Sequence, residues 1–120
     1  FFLILNQNLI TDHKEISILF DDLLANNKLD KESKNLLIYK KVLFSLNFIT
    51  ESELLEITKP LLNSETFWKP HVLLLIGDYF VSKKENIKAI DFYQQILSIK
   101  GLHKDIYDQA RSQLIFIAND

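Results

Sequence analysis

The chain has 120 residues, 48% of them apolar and 25% charged, with a formal net charge of −2. It is long enough to bury one core but lacks the basic excess of a nucleic-acid binder. Cysteine is absent, which excludes disulfides, thiolate catalysis and Cys-based metal sites. Two glycines and two prolines are too few for the turns of an all-β protein, whereas long helices need neither.

Phe1-Phe2-Leu3-Ile4-Leu5 reads as the end of a helix, broken by Asn6, Gln7 and Asn8. A second helix, capped by Thr11 or Asp12, runs to about Asn27. Its apolar residues Ile16, Leu19, Phe20, Leu23 and Leu24 recur at spacings of three and four. Asp30 caps a third helix over Lys31 to Leu46, with a stripe of Leu36, Leu37, Tyr39, Lys40, Leu43, Phe44 and Leu46. Asn47-Phe48 is a turn. Thr50-Glu51-Ser52-Glu53 then has the pattern of a capping box, in which the hydroxyl and the carboxylate satisfy each other's backbone N–H. The fourth helix carries Leu54, Leu55, Ile57, Leu61 and Leu62 inward, and Pro60 is expected to kink it or split it after Thr58.

The fifth helix, Thr66 to Ser82, is apolar on nearly every side, which predicts a central element packed by neighbours. The polar turn Lys84-Glu85-Asn86 leads into a sixth helix to about Ile99, with Ala89, Ile90, Tyr93, Ile96 and Leu97 facing in. Gly101 suits a left-handed C-terminal cap. The seventh helix, His103 to Ala118, turns Ile106, Tyr107, Ala110, Leu114 and Ile117 inward. The expected architecture is all-α: an α-solenoid of about three antiparallel helical hairpins plus a C-terminal capping helix, forming a single domain over residues 1–120.

No apolar run approaches the ~20 residues that span a bilayer. With no Met anywhere, the chain reads as a fragment of a longer protein, so any membrane attachment is expected through an upstream segment. The apolar end Phe1–Leu5 predicts a missing helix or a homo-oligomer formed through that end.

The stretch from Pro70 to His103 resembles a tetratricopeptide repeat. Leu73, Ile76, Gly77 and Phe80 stand at the family's first-helix spacing, and Ala89, Tyr93 and Ile96 at its second-helix spacing, with Gly101 as the closing breaker. One repeat earlier, Tyr39, Val42, Leu43 and Leu46 match in part, while Leu55 and Lys59 replace the small and aromatic residues. From Thr66 onward, the Lys-Ala-Ile and Tyr-Gln-Gln-Ile-Leu segments and the closing Asp-Gln-Ala-Arg-Ser-Gln-Leu helix are similar to the ancillary subunit of the bacterial SecYEG translocon. Uncharacterised bacterial TPR-like proteins look similar as well. This resemblance implies a non-catalytic protein–protein interaction module of the bacterial cell envelope, on the periplasmic side of the inner membrane. The alternatives are a cytoplasmic location and a structural oligomerisation domain without a peptide groove.

In such folds the first helix of each pair lines the concave surface. Here those positions are Leu37, Lys40, Phe44 and Asn47 on the third helix and His71, Leu74, Asp78, Val81 and Ser82 on the fifth. Leu74, Asp78 and Ser82 depart from the Lys, Asn and Arg of a carboxylate clamp, so a mixed apolar groove for another protein or peptide is expected. An equally weighted alternative is that these residues pack against the last helix.

His13, His71 and His103 are isolated in sequence, with no His-Glu-x-x-His spacing. Asp21-Asp22 and the group Glu51, Glu53 and Glu56 read as solvated faces with cap and dipole roles. No phosphate loop or nucleophile elbow is present. The expectation is therefore no enzyme, no cofactor, no metal and no nucleic acid among the partners.

Overall fold

The structure, a computed structural model, describes the backbone of residues 2–26, 28–63 and 65–119 and the side chains of 13–26, 28–63 and 65–119. The described residues contain six helices and no strand: α1 (Phe2–Leu24), α2 (Lys31–Ser45), α3 (Glu51–Leu62), α4 (Lys69–Ser82), α5 (Asn86–Leu97) and α6 (Lys104–Ala118). They fall into two compact units, Phe1–Thr58 and Lys59–Asp120.

In the first unit, α1 corrects the expected break at Asn6-Gln7-Asn8, because one helix runs through all three residues. Polar residues without Gly or Pro cost a helix only tenths of a kcal/mol each, about 0.7 at most, and do not stop it. The two helices expected before Asn27 are thus one, and the total is six rather than three pairs and a single. The apolar end Phe1–Leu5 lies outside the residues whose side chains are described. The C-terminus of α1 closes through an Asx turn in which Asn26 Oδ1 accepts from Lys28 N at 2.9 Å.

Asp30 caps α2 as expected, its carboxylate accepting from Ser33 N at 2.7 Å. The buried side of α2 differs from the apolar stripe. Asn35, Val42 and Ser45 are buried, whereas Leu43 and Phe44 are exposed. Helices α1 and α2 pack together through stacked rings, with His13 lying 5.4 Å from Phe44 and 4.3 Å from Phe48, and Phe20 tilted against Phe44 at 6.3 Å. Lys41 adds an ion pair to Asp21 across the two helices.

The capping box forms at the start of α3. Thr50 Oγ1 accepts from Glu53 N at 3.2 Å, and Glu53 Oε1 accepts from Thr50 N at 3.3 Å. Pro60 does not split this helix, which continues to Leu62. Thr58 is buried, and its hydroxyl donates to the Leu54 carbonyl at 2.8 Å.

The second unit is built on α4, which packs on both α5 and α6, while α5 also packs on α6. Helix α4 starts at Lys69 rather than Thr66. Thr66 Oγ1 accepts from Trp68 N at 2.9 Å, and this local turn holds Thr66–Trp68 out of the helix. Leu73, Ile76, Gly77 and Phe80 of α4 and Ala89, Tyr93 and Ile96 of α5 are all buried, together with Val72, Tyr79 and Ala110. Each fully buried large side chain contributes about 1.5–3 kcal/mol of transfer free energy. Gly77 is required by close approach: a Cβ there would stand 2.5 Å from Tyr93 Cε1.

The turn after α4 is a Schellman motif. Glu85 N donates to Phe80 O at 2.9 Å and Lys84 N to Val81 O at 3.0 Å, with Lys84 in the left-handed region at φ 60°. Gly101 is left-handed as expected, at φ 71°, but it belongs to the loop into α6, since α5 is capped at Ser98.

Candidate functional site

Two clefts of the second unit run along the boundary between α4 and α6 and share Gln109. The first, about 540 Å³, is lined by Phe67, Pro70 and His71 at the start of α4, by Ile99, Gly101, Leu102 and His103 of the α5–α6 loop, and by Asp105, Ile106 and Gln109 of α6. The second, about 430 Å³, is lined by Leu74 and Asp78 of α4 and by Asp108, Gln109, Ser112 and Gln113 of α6. From Pro70 to Asp78 the α4 wall spans eight residues, roughly 12 Å at helical rise, with Phe67 just before the helix. A third hollow of about 590 Å³, lined by Glu65, Thr66, Lys69, Pro70, Ser98, Ile99 and Lys100, lies among loop residues before α4 and after α5.

The two ends of the α4–α6 groove differ chemically. At the first, Phe67, Trp68 and His71 form an aromatic cluster with ring centroids 5.1–5.5 Å apart. Phe67 keeps 69% of its surface in water, an unusual placement for a large aromatic ring. Burial pushes the His71 imidazole below its ordinary pKa. His103 caps α6, its Nδ1 accepting from Asp105 N at 3.3 Å.

At the other end, Asp78 is held from beneath. The fully buried Tyr93 of α5 reaches past Gly77 and donates its hydroxyl proton to Asp78 Oδ1 at 2.5 Å. Burial first, and then the Asp78 carboxylate, push the Tyr93 phenol far above its usual range, so Tyr93 remains the donor. Among the described residues no Lys, Arg or His lies within ion-pair distance of Asp78 or Asp108.

Of the sequence-predicted groove residues, His71, Leu74 and Asp78 line these clefts along one face of α4. Val81 is half-buried and Ser82 exposed, its hydroxyl donating to the Tyr79 carbonyl at 2.6 Å, and neither lines a cleft named here. Leu37, Lys40, Phe44 and Asn47 belong to the first unit. There Leu37 is half-buried, Lys40 and Asn47 are exposed, and Phe44 meets His13 and Phe20 of α1. The α6 wall, with Asp108, Gln109, Ser112 and Gln113, was not singled out in the sequence. Its signal is a polar stripe at spacings of three and four beside the buried Ala110.

The first unit has a cleft of its own, about 450 Å³, lined by His13, Lys14, Ser17, Ile18, Lys41, Ser45, Ile49, Glu53 and Ile57. Ser17 Oγ lies 3.5 Å from His13 Nε2, which is long for a nucleophile and its base. Among the described residues no carboxylate bonds the other ring nitrogen, and no three His, Asp or Glu side chains converge as a metal site. No described helix is long and apolar enough to cross a membrane. No family model matches the chain, and no curated protein or solved structure matches it.

Proposed function

We propose that the chain is a non-catalytic protein-interaction module whose α4–α6 groove takes a short segment of another polypeptide. The observation that carries this reading is the pair of clefts joined at Gln109, with the water-exposed Phe67 ring at one mouth. A wall about 12 Å long accommodates about two turns of helix or about four extended residues. Burial of the whole Leu73-Ile76-Gly77-Phe80 and Ala89-Tyr93-Ile96 set is what a tetratricopeptide-like hairpin requires, and it supports a solenoid reading of the second unit. On the same reading, the full protein is an envelope or translocon-associated factor.

A selection of twelve-residue peptides from a random library against the chain tests this. Peptides should enrich, and their binding should be lost in Leu74→Arg but kept in Glu15→Arg, an exposed position of α1. No enrichment, or equal loss in both variants, contradicts the groove.

A second reading, self-association, is favoured by the exposed Ile18, Leu19 and Leu23 of α1, which are 61%, 59% and 48% accessible. Sedimentation of the chain across a hundredfold concentration range tests it, and a constant monomer would remove it.

A further inference from the structure

The groove is not chemically uniform, and its two ends specify different side chains. One end is mainly aromatic and aliphatic, with Phe67, His71, Leu102 and Ile106, and its carboxylate, Asp105, lies 3.7 Å from the His103 ring. The other places Asp78 on α4 and Asp108 on α6 around one cleft with no cation among its lining residues. Lys104 and Arg111 stand four residues before and three residues after Asp108 on α6, spacings at which a helix can pair charges, yet neither lines the cleft. Neither makes an ion pair with Asp108 among the described residues.

Asp78 is also fixed in place. Tyr93 approaches it from the core, under Gly77, and occupies Oδ1, while Oδ2 has no partner among the described residues. A carboxylate anchored by a buried donor has already lost its side-chain freedom, so it meets a cationic partner at reduced entropic cost. Opposite charge at a half-buried site then selects partners more than it tightens them.

We infer that the occupant of the α4–α6 groove is a polypeptide segment presenting an apolar side chain to the Phe67–Ile106 end and an arginine or lysine to the Asp78–Asp108 end. This inference rests on the groove reading above. The two ends are set by His71 and Asp78, seven residues apart on α4, or about 10 Å. The apolar and cationic residues of the segment are therefore seven positions apart if it is helical and three if it is extended.

The test uses four labelled peptides and fluorescence anisotropy with the full chain. One pair is a 14-residue helix former with Leu and Arg seven positions apart, and its twin with Glu in place of the Arg. The other is an eight-residue extended pair with Leu and Arg, or Leu and Glu, three apart. At least one Arg peptide should bind about tenfold more tightly than its Glu twin. That preference should collapse in Asp108→Asn and in Tyr93→Phe, which releases Asp78 while keeping the ring. It should persist in Asp22→Asn, which removes the same charge from an exposed position in the first unit. Equal binding of twins, or a preference that Asp22→Asn reduces as much as Asp108→Asn, overturns the charge assignment. The groove itself still stands in that case if Leu74→Arg abolishes binding. If no peptide binds and none was enriched in the library selection, both readings fall together. If library peptides bind but lack a basic residue at either spacing, this inference alone falls.

Discussion

Among the described side chains, residues 59–120 withdraw ten apolar ones from water, from Leu61 and Val72 through to Ala110. In residues 1–58 the corresponding set, among the described side chains, is Val42 and Leu54, accompanied by the polar Asn35, Ser45 and Thr58. The described contacts of the first unit include rings stacked around His13, the Lys41–Asp21 ion pair, an N-cap at Asp30 and a capping box at Thr50. Such exposed interactions contribute about 1 kcal/mol or less each, whereas a buried aromatic contributes several times that. Among the described side chains, full burial is therefore concentrated in the unit that carries the groove. This arrangement suits a binding surface that must be preorganised.

Substitutions should break or sharpen this contrast in a definite order. Tyr93→Ala empties the centre of the second unit and strips Asp78 of its donor. A loss of about 3–5 kcal/mol in urea unfolding is expected. Gly77→Ala drives a methyl group into the same ring and should cost about 1–3 kcal/mol. If calorimetry showed no change for Gly77→Ala, the close α4–α5 contact would be wrong. In the first unit Phe44→Ala removes the ring packed against His13 and Phe20 of α1. Its ring is 37% exposed, so about 1–2 kcal/mol is anticipated, below Tyr93→Ala by a clear margin. Thr50→Ala removes half of the capping box and should lower stability by about 1 kcal/mol.

One substitution runs the other way. Lys84 is a non-glycine residue held at φ 60° in the Schellman turn, where a Cβ is strained. Lys84→Gly should raise stability by about 0.5–1 kcal/mol, read as a shifted denaturation midpoint with an unchanged slope.

pH sharpens the contrast further. His71 is shifted down by burial, so folding favours its neutral form. That contribution is fully present above the ordinary value of 6.5 and is lost as pH falls below it through the folded-state value. Stability of wild type and His71→Gln measured between pH 7.5 and 5 should diverge only below about pH 6.5.

Much of this fold was legible because helix boundaries are written in local chemistry. Asp30 and the Thr50–Glu53 box act on backbone groups within three residues, and both form as read. The all-round apolar character of α4 correctly marked the most enclosed element of its unit. Two other readings failed, one for a nonlocal reason and one for a local one. The apolar stripe of α2 did not identify its interior, since Asn35 and Ser45 are buried while Leu43 and Phe44 are exposed. Which face is covered depends on neighbouring helices rather than on spacing alone. Polarity was likewise over-read at Asn6-Gln7-Asn8, where α1 continues. Of the cleft-lining residues, His71, Leu74 and Asp78 of α4 were among those named from register, while Val81 and Ser82 line neither cleft. The α6 wall was not legible, because a polar stripe on a last helix looks the same whether it faces bulk water or a cleft. Lys84 carried no signal, since a left-handed cap is ordinarily marked by glycine.

Native-state hydrogen exchange, resolved by segment, tests the central contrast most directly. The amides of 72–80 and 89–96 should exchange most slowly, in a single cooperative unit, with those of 13–24 opening at much lower free energy. Equal protection throughout, or α1 outlasting α5, would contradict an account in which the groove is built on the rigid part of the chain.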